Sequence, residues 1–141
     1  MQNISTVDLA HRLRPVLTRL ARRMRQEAGG DLTPTQNAAL ATISCHGPLT
    51  PSELAARERI QRPTATRVLA LLEERGLIER TPDPSDRRSS LVTATVAGDA
   101  LLASVRDRKD LYLARRLDTL SADELVALDR AAEILERVLA E

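Results

Sequence analysis

The sequence predicts a mainly α fold with a small β-wing, and three stretches carry that reading. Thr50-Pro51-Ser52-Glu53 opens a short helix, Arg62-Pro63-Thr64-Ala65-Thr66-Arg67 opens another after a four-residue break, and a Pro/Asp/Arg-rich segment follows between two short runs of strand-forming residues. Helix, break, helix and hairpin without spare residues make a winged helix-turn-helix over 33–98. Helical patterns in 1–32 and 99–141 flank it.

Composition sets the outer bounds. A chain of 141 residues with 43% hydrophobic residues can bury one domain's core. No apolar run approaches the ~18 residues of a membrane span, and Met1-Gln2-Asn3-Ile4 does not start a signal peptide. A cytoplasmic protein without a membrane partner is therefore expected. One cysteine excludes an internal disulfide framework. Tyr112 is the sole aromatic residue, which argues against RNA modules that stack bases on aromatic side chains. The formal charge of +1 is unevenly spread: six basic against three acidic residues in 1–49, eight against seven in 50–98, and seven against ten in 99–141.

From about Ser5 to Glu27, Leu9, Leu13, Val16, Leu17, Leu20 and Met24 fall on one face of a long amphipathic helix. Pro15 inside it should kink or split it near His11 to Arg14. Arg12, Arg14, Arg19, Arg22, Arg23 and Arg25 crowd its remaining surface. A solvated face, partly neutralised by a partner's acidic helix, is preferred there to a nucleic-acid surface.

Thr33-Pro34-Thr35-Gln36 is a capping box, opening a helix through about Ser44 with Leu40 and Ile43 inward. Cys45 and His46 follow at its end; Cys45 is expected to be a buried, inert small hydrophobe, and the adjacent pair lacks the further ligands a metal site needs. Thr50 is the N-cap of the next helix, with Pro51 at its first position and Leu49 and Leu54 as a staple. That helix turns Leu54 and Ala55 inward and fades near Arg57 to Arg59, with Ile60 plugging the turn.

The next helix is expected to begin at Pro63, because proline lacks the N–H an interior position needs. Ala65, Val68, Leu69 and Leu72 share one face, and Pro63, Thr66, Arg67, Ala70 and Glu74 the other. The outer face is small and polar at its N-terminal end, as entry into a DNA major groove requires. Thr64 and Thr66 suit phosphates or thymine methyls, and Arg67 suits guanine O6 and N7. An ordinary amphipathic surface helix is the alternative.

Leu77-Ile78-Glu79-Arg80 and Leu91-Val92-Thr93 are the expected strands, and the run from Thr81 to Ser90 between them is expected to form neither helix nor ladder. Arg87 and Arg88 then sit at or beside a projecting tip, where arginine can enter a narrow minor groove. Asp86 is placed to pair with one of them and shape the loop. A solvated turn with a local ion pair is the alternative.

A second long helix is expected from Ala97 to Leu117, with Leu101, Leu102, Val105, Leu111, Tyr112 and Leu113. Ser121-Ala122-Asp123-Glu124 caps the last, whose seam is Leu125, Leu128, Ala132, Leu135 and Leu139. The terminal helices cannot close a core within one chain, so they are expected to interleave with their symmetry mates in a C2 homodimer.

Together these residues resemble the multiple antibiotic resistance regulator (MarR) family of bacterial winged-helix repressors. The resemblance rests on Leu49-Thr50-Pro51-Ser52-Glu53-Leu54-Ala55, on the run from Thr66 to Arg80, and on Asp83-Pro84-Ser85-Asp86-Arg87-Arg88 followed by a strand, Thr95 and Gly98. It implies that Thr64, Thr66 and Arg67 lie on the recognition helix and that Arg87 and Arg88 belong to the wing; Arg62 and Pro63, at the helix start, complete the candidate DNA-binding set. Arg88 holds the position that usually reads the minor groove or braces the wing. Ala94 stands where the family commonly has leucine. Some members sense oxidants through a cysteine near the start of the first helix, a place Cys45 does not occupy.

The resemblance also implies an effector cavity between the dimer helices and the winged lobe, for which His11, Arg14, Arg19 and Tyr112 are candidate lining residues. The resulting expectation is a transcriptional repressor that binds double-stranded DNA at a pseudo-palindromic operator and is released by a small molecule. A winged-helix protein-interaction module and a redox regulator using Cys45 are the alternatives. An enzyme is not expected: two His and one Cys, without a phosphate loop or nucleophile elbow, supply no catalytic set, metal or cofactor site.

Overall fold

The computed structural model describes residues 2–140, and among them six helices and one two-stranded sheet. In chain order these are α1 (Thr6–Ala28), α2 (Pro34–His46), α3 (Pro51–Glu58), α4 (Arg62–Glu74), β1 (Ile78–Asp83), β2 (Asp86–Ala94), α5 (Val96–Leu117) and α6 (Ala122–Leu139). The chain forms two compact units, one of Ala28–Asp107 and one of the terminal regions up to Glu27 and from Arg108.

In the first unit the predicted caps determine where the helices start. The Thr33 hydroxyl accepts from the Gln36 N–H at 3.2 Å, and the Gln36 side chain accepts from the Thr33 N–H at 3.0 Å. This α2 runs two residues beyond Ser44, to His46, and buries Ala39, Leu40 and Ile43. Cys45 is exposed, not buried as the sequence suggested. It lies two residues past Ile43, about 200° around the helix, on the face turned from the core.

Thr50 caps α3 through the Glu53 N–H at 3.1 Å, with Pro51 in the first turn. The helix ends on Arg59 in the left-handed region, φ 53°, whose N–H reaches the Ala56 carbonyl while the Ile60 N–H reaches that of Ala55. This paired closure satisfies two terminal carbonyls and turns the chain sharply into α4. The connection is three residues, not four, because α4 begins at Arg62 rather than Pro63. The first four N–H groups of a helix have no internal partner, so Pro63 is accommodated in second position without losing a bond.

The inward face of α4 is as expected: Ala65, Leu69 and Leu72 are fully buried and Val68 is nearly so. With Leu40, Ile43, Leu49, Leu54, Ile78, Val92 and Leu102, the side chains of Val68, Leu69 and Leu72 form one core. Fully burying such a side chain contributes about 1.5–3 kcal/mol, so α4 is fixed from behind while its outer face stays open.

The wing ladder extends further than the sequence suggested. Ile78 to Pro82 pair in antiparallel register with Ala94 to Ser90, and Asp83 pairs with Asp86. Only Pro84 and Ser85 form the turn. Pro82 can join because a two-stranded ribbon has two edges, leaving a place where no N–H is required. At the base, Leu49 and Val92 exchange backbone bonds of 3.1 and 2.8 Å, tying the α2–α3 link to the sheet. Thr95 closes the unit: its hydroxyl donates to the Gly76 carbonyl at 2.6 Å and accepts from the Gly98 N–H at 3.1 Å.

In the second unit α1 is continuous through Pro15, contrary to the predicted split. The carbonyl that loses its donor is that of His11, an exposed residue that water can satisfy, so the break stays local. The predicted capping box opens α6: Ser121 and Glu124 exchange bonds of 2.9 and 3.2 Å. None of α6 is buried. Val16, Leu17, Leu111, Leu125, Val126, Leu128 and Val138 are 41–70% exposed, an apolar surface that folding of one chain leaves wet.

Candidate nucleic-acid interface

The outward surface of α4 is arranged by bonds within the helix pair. The Arg62 guanidinium donates to the Ser52 hydroxyl, linking the start of α4 to the first turn of α3. The Thr66 hydroxyl donates back to the Arg62 carbonyl at 3.0 Å, which leaves its methyl as the unbonded end. Arg67 lies 3.5 Å from the Thr64 hydroxyl, a long contact that a base edge can replace. Pro63, Thr66 and Arg67 are exposed and Thr64 is half-buried. Gln61, which precedes the helix, makes no side-chain cap, so the first-turn N–H groups face outward without a side-chain acceptor.

The wing presents its arginines through an irregularity in the ladder. After Pro82↔Ser90 the next pair is Asp83↔Asp86, so Arg87, Arg88 and Ser89 have no partner across the ribbon. A bulge of this kind bends the strand and redirects its side chains. Both arginines are exposed. Asp86 does not hold them as predicted: its carboxylate accepts from the Arg88 backbone N–H at 2.9 Å. A backbone bond two residues away competes well with a mobile guanidinium, and the Arg88 side chain stays available. Asp83 orders the tip, accepting from the Ser85 N–H at 3.0 Å and hydroxyl at 2.7 Å. These two bonds, the hydroxyl's first, hold its carboxyl below the ordinary carboxylate range.

Three contributors escaped sequence reasoning. Ser52 reads as a helix-start residue, and nothing in its spacing reveals the bond to Arg62. Asp83 carries a visible signal, an Asp-Pro-Ser turn, whose composition indicates a break in the ladder but not the two bonds to Ser85. Glu73 and Arg80 form an ion pair between α4 and β1, and a separation of seven residues across a turn has no sequence signature.

The four effector candidates make no hydrogen bond or ion pair with one another among the described residues. The Arg19 Nε donates to the Pro15 carbonyl at 3.3 Å, Arg116 stacks over the Tyr112 ring at 5.3 Å, and His11 and Arg14 are exposed. No group of three or more His, Cys, Asp or Glu residues is placed to hold a metal ion among the described residues, and no described helix is long and apolar enough to cross a membrane.

The family model for MarR matches residues 32–90. An HTH-type transcriptional regulator of Mycobacterium leprae is 35% identical over 138 residues, covering 97% of this chain and 96% of that protein. The multiple antibiotic resistance protein MarR of Salmonella typhimurium is 37% identical over 100 residues, 70% of this chain and 69% of its own. Among solved structures, a transcriptional regulator from Pseudomonas aeruginosa superposes with a TM-score of 0.86 at 33% identity, over 98% of both chains.

Proposed function

Because the chain belongs to the MarR family of transcriptional regulators, we propose that it is a repressor that binds a pseudo-palindromic operator as a homodimer and leaves it when a small molecule binds. The observation that carries this reading is the presence, within one unit, of the exposed Thr66 and Arg67 on α4 and the bulged Arg87 and Arg88 on the wing. The helix would take the major groove, with Arg67 toward guanine and the Thr66 methyl toward thymine, and the wing arginines the adjacent minor groove. Pro63 lets the helix approach closely, and the α4 N-terminus adds its dipole toward phosphate.

The homodimer is supported by the exposed apolar residues of α1, α5 and α6, which a second copy would cover. Two recognition helices would then meet half-sites about 34–36 Å apart, one DNA turn. A ligand that favours another spacing of the two lobes would release the operator, and only its differential affinity for the two spacings drives that change. His11, Arg14, Arg19 and Tyr112 remain the proposed effector residues. Release by oxidation is the second reading, favoured by the exposure of the Cys45 thiol; Cys45→Ser would then abolish an oxidant's effect on DNA binding.

Footprinting on the DNA upstream of the protein's own gene, with sedimentation of the free protein, tests the proposal. Two protected half-sites one turn apart and a dimer are expected. A single half-site, or a monomer at footprinting concentration, overturns it.

A further inference from the structure

The ion pair between Glu73 and Arg80 does more than neutralise two charges. Glu73 lies in the last turns of α4, on the outer surface, and Arg80 is the third residue of β1. The two, with Ala70 and Glu74, line a cleft between recognition helix and wing. Their side chains are 47% and 30% exposed, so the pair contributes little to folding stability. Its position matters more. The ribbon is anchored at its base by buried Ile78 and Val92 and by the bridge from Leu49. Beyond Arg80 the side-chain bonds of the ribbon stay inside it: Asp83 takes Ser85 and Asp86 takes the Arg88 N–H. Arg80 is therefore the outermost tie between the wing and α4.

From the buried base at Ile78 to Asp83 is five residues of strand, roughly 16 Å at ~3.3 Å per residue. A tilt of about 10° about the base would move the tip by ~3 Å, enough to take an arginine out of hydrogen-bond reach. We propose that Glu73 and Arg80 are positioning residues, a brace that fixes the wing's angle against the recognition helix and so sets where Arg87 and Arg88 meet the minor groove. The DNA half of this statement rests on the regulator reading above. The brace itself is a property of the free protein.

The brace and simple electrostatics predict opposite signs. Glu73→Gln removes a negative charge near the phosphates, so charge alone would tighten binding. With the brace, affinity for the operator falls, by about fivefold, within the usual range of couplings between neighbouring groups. In an Arg88→Ala background the same change has a smaller effect, because only Arg87 is left to misplace. The exchanged pair Glu73→Arg/Arg80→Glu restores the tie and most of the affinity.

The test uses the full-length protein in two arms. Backbone amide relaxation of residues 83–90 in the free protein compares wild type, Glu73→Gln, Arg80→Gln and the exchanged pair. Anisotropy titrations on an operator duplex compare Glu73→Gln with the unchanged residue in the wild-type and Arg88→Ala backgrounds. Loosened wing amides in both single variants, recovery in the exchanged pair, and a larger loss of binding in the background that keeps Arg88 are expected. Unchanged wing amides, tighter binding, or equal loss in both backgrounds would overturn the proposal. If the wild type selects no duplex, the regulator reading fails, and the free-protein amides still decide the brace.

Discussion

Gly98→Ala separates two opposite expectations. Gly98 lies in the first turn of α5, where helix propensity alone favours alanine by up to about 1 kcal/mol. The structure reverses the sign. A Cβ at Gly98 would lie 2.2 Å from the Leu77 carbonyl oxygen, 3.1 Å from its carbon and 3.3 Å from a Leu40 methyl. The Leu77 backbone is held on both sides, donating to Leu72 at 2.9 Å and accepting from Thr95 at 3.0 Å. Relieving the overlap would move backbone, not a flexible side-chain end. Overpacking costs about 1–3 kcal/mol, and a 2.2 Å approach to held backbone puts it at the upper end, which leaves a net loss of about 2 after the propensity gain. For a chain of this size that lowers Tm by about 7 °C. Urea unfolding followed by circular dichroism, at one fixed protein concentration because dimer stability varies with it, measures the change. Gly76→Ala is the control: nothing lies within 4 Å of its Cβ, and its φ of +71° alone should cost about 1 kcal/mol. Gly98→Ala as stable as wild type, or more so, would refute the close-approach argument.

Other substitutions probe the caps and the wing tip. Arg59→Gly relieves a left-handed non-glycine residue, and should raise stability by about 0.5 kcal/mol in the same urea assay after the entropy of the unfolded chain is offset. Thr33→Ala removes the α2 capping box and should cost about 1 kcal/mol, whereas Thr35→Ala on the same turn should cost much less. At the tip, Asp83 has a folded pKa below its unfolded one, so its bonds to Ser85 are fully present above the unfolded value and are lost as pH falls through the folded value. The Ser85 amide shift should titrate in that acidic window, and Asp83→Asn should abolish the titration.

The parts of the fold legible in the sequence are those set by local chemistry. Thr33, Thr50 and Ser121 announce their helices because an orphan N–H needs an acceptor three residues away, and the face of α4 is legible because burial follows a 3.6-residue period. Pairing across the chain is less legible. Thr81 and Pro82 read as a loop by composition, yet the buried Ile78 and Val92 set a register that carries the ladder past them. Cys45 read as buried by residue type, but its side of α2 was decided by Leu40 and Ile43. At the candidate interface, residue types pointed to the arginines, while the bulge that leaves Arg87 and Arg88 unpaired depends on Asp83 meeting Asp86. The bonds of Arg62 to Ser52 and of Glu73 to Arg80 join separate elements and leave no periodic trace.

The most direct measurement is a fluorescence-anisotropy titration of the wild type and Arg88→Ala against DNA from the protein's own upstream region, with random duplex as competitor and salt varied. Saturable binding by the wild type that survives competitor and is weakened by about tenfold or more in Arg88→Ala, with a shallower salt dependence of the residual binding, is the predicted result. Equal wild-type binding to both DNAs, or to neither, would contradict a wing-dependent operator reader at that region.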